Sequence, residues 1–278
     1  MRTEQEMFDL ILGFARKDER VRVAAMNGSR ANPNAARDAF QDYDIVFGVT
    51  EMAGFLAEDG WLDYFGRRII MQKPDAMELF LPEGRNRFAY LMLFEDGNRI
   101  DLTLLPLDEL EAYLKEDSIL RILLDKDDRV RDLAESSDVD YWIRPPTPGI
   151  FDDCCNEFWW LSTYVAKGLA RGELPYANFH LDLMRNQLMS MLSWRVGLEK
   201  GFNFSIGKQF KYLQKHISET SWQRLCATWN CGSLEASQKA LEEMLTLFRE
   251  VSKEISERFC YRYPEYDEHV SRYLNQLM

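Results

Sequence analysis

Apolar and polar positions alternate along this chain with two different periods, and the change of period divides it. Residues 4–17 carry Met7, Ile11, Leu12 and Phe14 among their apolar positions, which predicts an amphipathic helix. VRVAAMN, residues 21–27, reads as a strand running into Gly28-Ser29, and DYDIVFGVT, residues 42–50, as a second strand. WLDYFGRRIIMQ, residues 61–72, begins as helix and ends as strand, and MELFLP, residues 77–82, is a short extended piece. RFAYLMLF and RIDLTLLPL flank Glu95-Asp96-Gly97-Asn98, and Asp-Gly between two strand-like runs signals a hairpin. The next stretch, LDELEAYLKEDSILRILLDKD, is helical by periodicity. Pro145, Pro146, Pro148 and Gly149 then mark a boundary. Beyond it the pattern is almost wholly helical, over 151–172, 176–200, 205–217, 219–229, 233–259 and 265–277. The expected architecture is α+β: a mixed sheet flanked by helices over residues 1–145, then a helical bundle over 146–278.

Composition narrows the class of protein. A chain of 278 residues can form one large domain or two medium ones, and two buried cores need no partner, so a monomer is expected. No apolar run is long enough to span a bilayer, and charges interrupt the first helix, unlike a signal peptide. The five cysteines are odd in number, with Cys154 and Cys155 adjacent and no CxxC spacing, which reads as reduced thiols in the cytoplasm. The three histidines, His180, His216 and His269, have no zinc-ligand spacing with cysteine. The net charge of −12 weighs against nucleic acid and favours a cationic partner. Acidity that serves only solubility is the alternative.

The candidate chemistry lies between the first two strands. Gly28 permits close backbone approach, and Ser29 offers an N–H and a hydroxyl to a phosphate. Arg30 adds a positive charge, unless it is a solvated surface arginine. Asp42 and Asp44 stand two residues apart, so in a strand they project to one face. Two bare carboxylates ~4 Å apart repel by ~4 kcal/mol at an effective dielectric near 20. A positive group should therefore sit between them, and Mg²⁺ is the natural candidate. Asp101 is a lone carboxylate inside an apolar strand, where a partner is expected. Three such carboxylates from two neighbouring strands can hold two divalent ions, and Asp101 is placed to accept a hydroxyl proton. A solvated strand start for Asp42 and Asp44, and a water-facing edge strand for Asp101, are the structural alternatives.

GSRANPNAARDAFQDYDIVF followed by RIDLTLLP resembles the aminoglycoside 6-adenylyltransferases, the streptomycin-modifying branch of the polymerase-β-like nucleotidyltransferases. KGLARGELPYANFHLDLMRNQL and GKQFKYLQKHI extend the resemblance over essentially the whole chain. It implies transfer of AMP from ATP to a drug hydroxyl, the 6-hydroxyl of streptomycin, with release of pyrophosphate. It also implies a nucleotidyltransferase domain that supplies Ser29 and the metal-binding Asp42, Asp44 and Asp101, and a helical domain that closes the cleft and reaches the triphosphate with lysines.

That implication directs attention to Lys167, Lys208 and Lys211 as nucleotide ligands. Lys208, Lys211 and Lys215 fall at i, i+3 and i+7, one face of an expected helix with Phe210 and Leu213 opposite. A solvated face is the alternative. A polycationic aminoglycoside needs carboxylates, for which Glu78, Asp152, Asp153, Glu157 and Asp182 are candidates. Trp159 or Trp160 could stack on a guanidinium or on adenine, with ordinary core as the competing role. His180 is read as a structural histidine.

Overall fold

Thr3 starts the first helix, α1 (Glu4–Lys17), through a reciprocal capping box with Glu6. Its apolar stripe of Met7, Ile11, Phe14 and Ala15 is buried against one face of a six-stranded sheet. This computed structural model describes residues 1–79 and 86–277. The chain divides into two compact units, Met1–Asp140 and Tyr141–Met278.

The first unit continues with β1 (Val21–Met26), the single turn α2 (Gly28–Ala31), β2 (Tyr43–Val49) and α3 (Ala53–Leu56). A 3₁₀ helix over Gly60–Phe65 leads into β3 (Arg68–Gln72), followed by β4 (Phe88–Phe94), β5 (Arg99–Pro106), α4 (Leu110–Tyr113) and β6 (Arg121–Asp125). The strand order is β3-β4-β5-β2-β1-β6. Among the described residues only the β2–β5 pair is parallel; the other ladders are antiparallel, so the sheet is mixed as the sequence predicts. The β4–β5 hairpin turns at Asp96-Gly97, where Gly97 takes φ +83 and the Phe94 N–H donates to the Asn98 carbonyl at 2.9 Å.

Alternation along the strands gives each face its own cluster. Tyr43, Ile45 and Phe47 of β2 join Ile100, Leu102 and Leu104 of β5 beneath α1. Val46 and Leu105 turn to the opposite face, where they pack with Val23, Ala25, Leu110, Tyr113 and Leu120. Asp44, Asp101 and Thr103 belong to this second face by register.

Two expectations for this unit fail or fall outside it. The stretch after Leu107, expected to be one helix, is a 3₁₀ turn, the short α4 and then strand β6 paired with β1. Its run of Ile122, Leu123 and Leu124 fits either period, and the open edge of β1 decides for strand. Of the expected extended piece at 77–82, residues 80–82 lie outside the described residues, and residues 78 and 79 form a bend.

The second unit consists of α5 (Pro148–Ala170), α6 (Leu174–Lys200), α7 (Glu219–Ala227), α8 (Leu234–Phe259) and α9 (Tyr266–Leu277). Thr147, Ser218 and Ser233 cap α5, α7 and α8 by accepting from backbone N–H groups of the first turn. Phe158 of α5 stacks on Phe248 of α8 with ring centroids 3.6 Å apart, and Leu181, Met184, Leu188 and Met191 of α6 complete the core. The helix expected over 205–217 is absent. Two 3₁₀ turns, Lys208–Phe210 and Leu213–Lys215, replace it, because Gln209 and Phe210 take positive φ after Gly207. Ile206 and Leu213 still point inward, which explains the helix-like apolar spacing. Among the described residues no helix is long and apolar enough to cross a membrane.

Candidate active site

β1 ends at Met26, and the chain reverses through Asn27 into α2. The Asn27 N–H donates to the Asp44 carbonyl at 2.9 Å, which fastens the start of this turn to β2. Gly28 has φ +64, and a Cβ there would stand 1.9 Å from Asp44 Oδ2. The Asp44 carboxylate therefore lies in the space that a side chain at position 28 would fill. Glycine is required twice, by conformation and by contact. Tyr113 from α4 donates its hydroxyl to Asn27 Oδ1. Burial pushes the Tyr113 phenol far above its ordinary value, so it remains a donor.

Asp44 faces Asp101 across the parallel β2–β5 ladder, as direct register partners. Adjacent strands lie ~4.8 Å apart, so the two side chains leave the same face close together. Asp42 immediately precedes β2. Burial raises the Asp42 carboxyl above its ordinary value; the Arg99 guanidinium opposes this, and the Asp101 charge adds to it.

The cation among these acids belongs to the chain. Arg99 Nε and one terminal nitrogen each donate to Asp101 at 2.7 Å, a bidentate pair. Its other terminal nitrogen is 3.6 Å from Asp42 Oδ2. The bond to Asp101 raises the Arg99 guanidinium above its ordinary value, with Asp42 and Asp44 adding to the effect. Sequence reasoning missed this residue. The signal was present, since Arg99 and Asp101 are two apart in a strand and share a face.

Three hard carboxylates on adjacent strand ends match the donor chemistry of a magnesium site. Among the described residues, no three carboxylate, imidazole or thiol groups are arranged to hold a metal ion. The Arg99 guanidinium supplies the positive charge there instead.

Ser29 follows Gly28 in the first turn of α2, and its carbonyl accepts from Gln41 Nε2 at 3.1 Å. Gln41, also missed, thus ties the serine turn to the approach of Asp42. Arg30 turns inward. It is 8% exposed, donates to the Gln41 carbonyl at 2.9 Å and the Asp42 carbonyl at 3.1 Å, and lies 3.9 Å over the Tyr43 ring. Its guanidinium braces the segment that carries Asp42.

In the second unit the expected residues part ways. Lys208, Lys211 and Lys215 are exposed but lie in two separate turns, so no single helical face aligns them. Lys211 and Lys215 both approach the Tyr212 ring, at 5.0 and 4.7 Å. Lys167 lies within α5, 5.9 Å from the Tyr273 ring. Trp159 is 1% exposed and packs edge-on against Phe158 and Phe248 in the bundle core. Trp160 is exposed and donates to the Tyr164 hydroxyl at 2.9 Å. Asp182 pairs with the buried Arg185, which also bonds Thr228 Oγ1 at 2.9 Å, and its own side chain stays exposed. Glu157 lines a hollow of about 360 Å³ with Asp153, Gln187, Ser190 and Trp194. Asp152 lines another, beside Tyr261 and Arg262. Glu78 is exposed in its bend. His180 is buried, with Nδ1 2.9 Å from the Tyr176 carbonyl, a structural histidine.

A family model described as streptomycin adenylyltransferase matches residues 1–277. The chain belongs to the streptomycin adenylyltransferase family. It is 46% identical over 275 residues to an aminoglycoside 6-adenylyltransferase of Bacillus subtilis (strain 168), covering 98% of this chain and 97% of the relative. A Campylobacter jejuni protein of the same name is also 46% identical over 275 residues, covering 99% and 95%. One from Staphylococcus aureus is 38% identical over 276 residues, covering 99% and 98%. Among solved structures, that of an aminoglycoside 6-adenyltransferase from Bacillus subtilis is 43% identical and covers 100% of this chain and 99% of its own, with a TM-score of 0.49. This member of the streptomycin adenylyltransferase family is thus an adenylyltransferase, and its family implies ATP as co-substrate.

Proposed function

We propose that this adenylyltransferase moves AMP from ATP to the 6-hydroxyl of streptomycin, releasing pyrophosphate and conferring resistance to the drug. The observation that carries the reading is the Asp44–Asp101 pair beside the Gly28-Ser29 turn.

With the Arg99 guanidinium drawn away from Asp101 and Asp42, Asp42, Asp44 and Asp101 would offer the hard oxygens for two magnesium ions. Bound there, the ions would polarise the α-phosphate and neutralise the leaving pyrophosphate. Ser29 offers its hydroxyl and backbone N–H to the triphosphate. The drug oxygen forms a bond to the α-phosphorus as the bond to the β-phosphate oxygen breaks. The hydroxyl proton passes to Asp101, which must first give up its pairing with Arg99. Glu157 with Asp153, Glu78 and the exposed Asp182 are the acceptors proposed for the drug's cationic groups. The net charge of −12 supports a cationic acceptor reached by long-range attraction. We further infer a monomeric cytoplasmic enzyme that engages neither nucleic acid nor a membrane.

The test is direct. The protein is incubated with Mg²⁺, ATP and streptomycin, and the drug is analysed by mass spectrometry and phosphorus-coupled NMR. One added AMP, with phosphorus coupling to the proton at position 6, is expected. Unmodified drug in the presence of folded protein overturns the activity, and an adduct at another hydroxyl overturns the regiochemistry.

A further inference from the structure

We propose that Arg99 is a built-in counter-cation that competes with divalent ions for Asp101 and Asp42, and that it yields the site when a nucleoside triphosphate arrives. The inference rests on the carboxylate-site reading above. It adds a property that the reading does not contain: metal and nucleotide must bind interdependently.

Three observations carry it. First, the guanidinium already occupies both Asp101 oxygens and approaches Asp42. Both Asp101 oxygens accept from it at 2.7 Å, and Asp42 Oδ2 lies 3.6 Å away. An ion bound to those oxygens must displace it. Second, the lock is local. Arg99 and Asp101 share one strand and one face, so the pairing needs no other part of the chain to move. Third, the lock is releasable. The Arg99 side chain is 41% exposed, and its long stem can carry the head group to a new partner without opening the core. The non-bridging oxygens of a triphosphate also accept bidentately from a guanidinium, so it is a ligand class to which Arg99 transfers readily.

The consequence is thermodynamic. Without nucleotide, metal binding must break a bidentate charge-assisted pair and leave the guanidinium with water. With nucleotide, the guanidinium exchanges one anion for another. Each ligand therefore raises the affinity for the other by the same factor. The arrangement also guards an acidic cleft against filling with ions when no substrate is present.

Mn²⁺ serves as the probe, followed by electron paramagnetic resonance of the free ion and by water-proton relaxation, with and without a non-hydrolysable ATP analogue. Arg99→Gln is expected to bind Mn²⁺ without nucleotide on the order of 10–100-fold more tightly than the wild type. Arg99→Lys keeps the charge, loses the fork and should fall between them. With the analogue present, the gap between wild type and Arg99→Gln should shrink several-fold. Equal affinity of the wild type and both variants without nucleotide overturns the role of Arg99 and leaves the carboxylate site standing. Absence of Mn²⁺ binding in every protein, even with the analogue, overturns the carboxylate site itself.

Discussion

Asp44 and Asp101 are direct partners across the parallel β2–β5 ladder of the sheet, and the Asp44 carboxylate covers Gly28 where a Cβ would be. Strand register therefore sets the spacing of the two acids, and the Gly28 turn packs directly on one of them. Lengthening one acid should show this. Asp101→Glu keeps the charge but moves it by about one bond, and misplacement on that scale costs on the order of 10²-fold in rate. Steady-state kinetics should show the loss in kcat, with an unchanged melting temperature.

Gly28→Ala forces a methyl group against Asp44 Oδ2 at a position with φ +64. The strain of a side chain there is about 1–2 kcal/mol, and the acid must also shift. The expected outcome is a modest fall in thermal stability together with a much larger loss of adenylyl transfer. Calorimetric melting alongside a pyrophosphate-release assay separates the two effects.

Arg30→Lys distinguishes a brace from a phosphate ligand. Lysine keeps the charge but cannot span the Gln41 and Asp42 carbonyls while lying flat on Tyr43. Loss of these buried charge-assisted bonds costs about 2 kcal/mol. Urea unfolding should show this destabilisation, while the KM for ATP changes little.

Asp96, at the tip of the β4–β5 hairpin, accepts from Arg2 Nε at 2.6 Å and from the Arg2 N–H at 3.0 Å. The Arg2 guanidinium holds its carboxyl well below the usual carboxylate range, helped by the Asn98 amide bonds. A folded value below the unfolded one contributes stability that is complete above the ordinary carboxylate value. That contribution is lost as the pH falls towards the folded value. Asp96→Asn should therefore be less stable than wild type at pH 7, and the gap should narrow below about pH 4. Urea titrations at pH 7 and pH 3 measure it.

Much of this architecture was legible in the sequence. The Asp-Gly hairpin, the strand that carries Asp44 and the long capped helices follow from turn chemistry and periodicity, which are local. That Asp101 needs a partner was also legible, because an isolated acid in an apolar strand demands one, and Arg99 supplies it. What was not legible depends on long-range packing. β6 forms because the edge of β1 is open beside it, and no local signal in RILLD reveals that. Trp159 and Trp160 are adjacent and chemically alike; helix phase alone buries one and exposes the other. Arg30 follows Ser29 directly, yet its head group turns into the protein because the Tyr43 ring and two carbonyls await it. Arg99 escaped notice because the demand for a positive charge near the acids was assigned to an external ion.

The centre of the proposed chemistry is the Asp44–Asp101 pair, and transfer of labelled AMP from ATP to streptomycin by Asp44→Asn/Asp101→Asn tests it most directly. The double variant should fold, as judged by an intact cooperative melt, and should transfer no label above the rate without enzyme. Transfer at a rate near that of the wild type would contradict the assignment of these two carboxylates to the reaction.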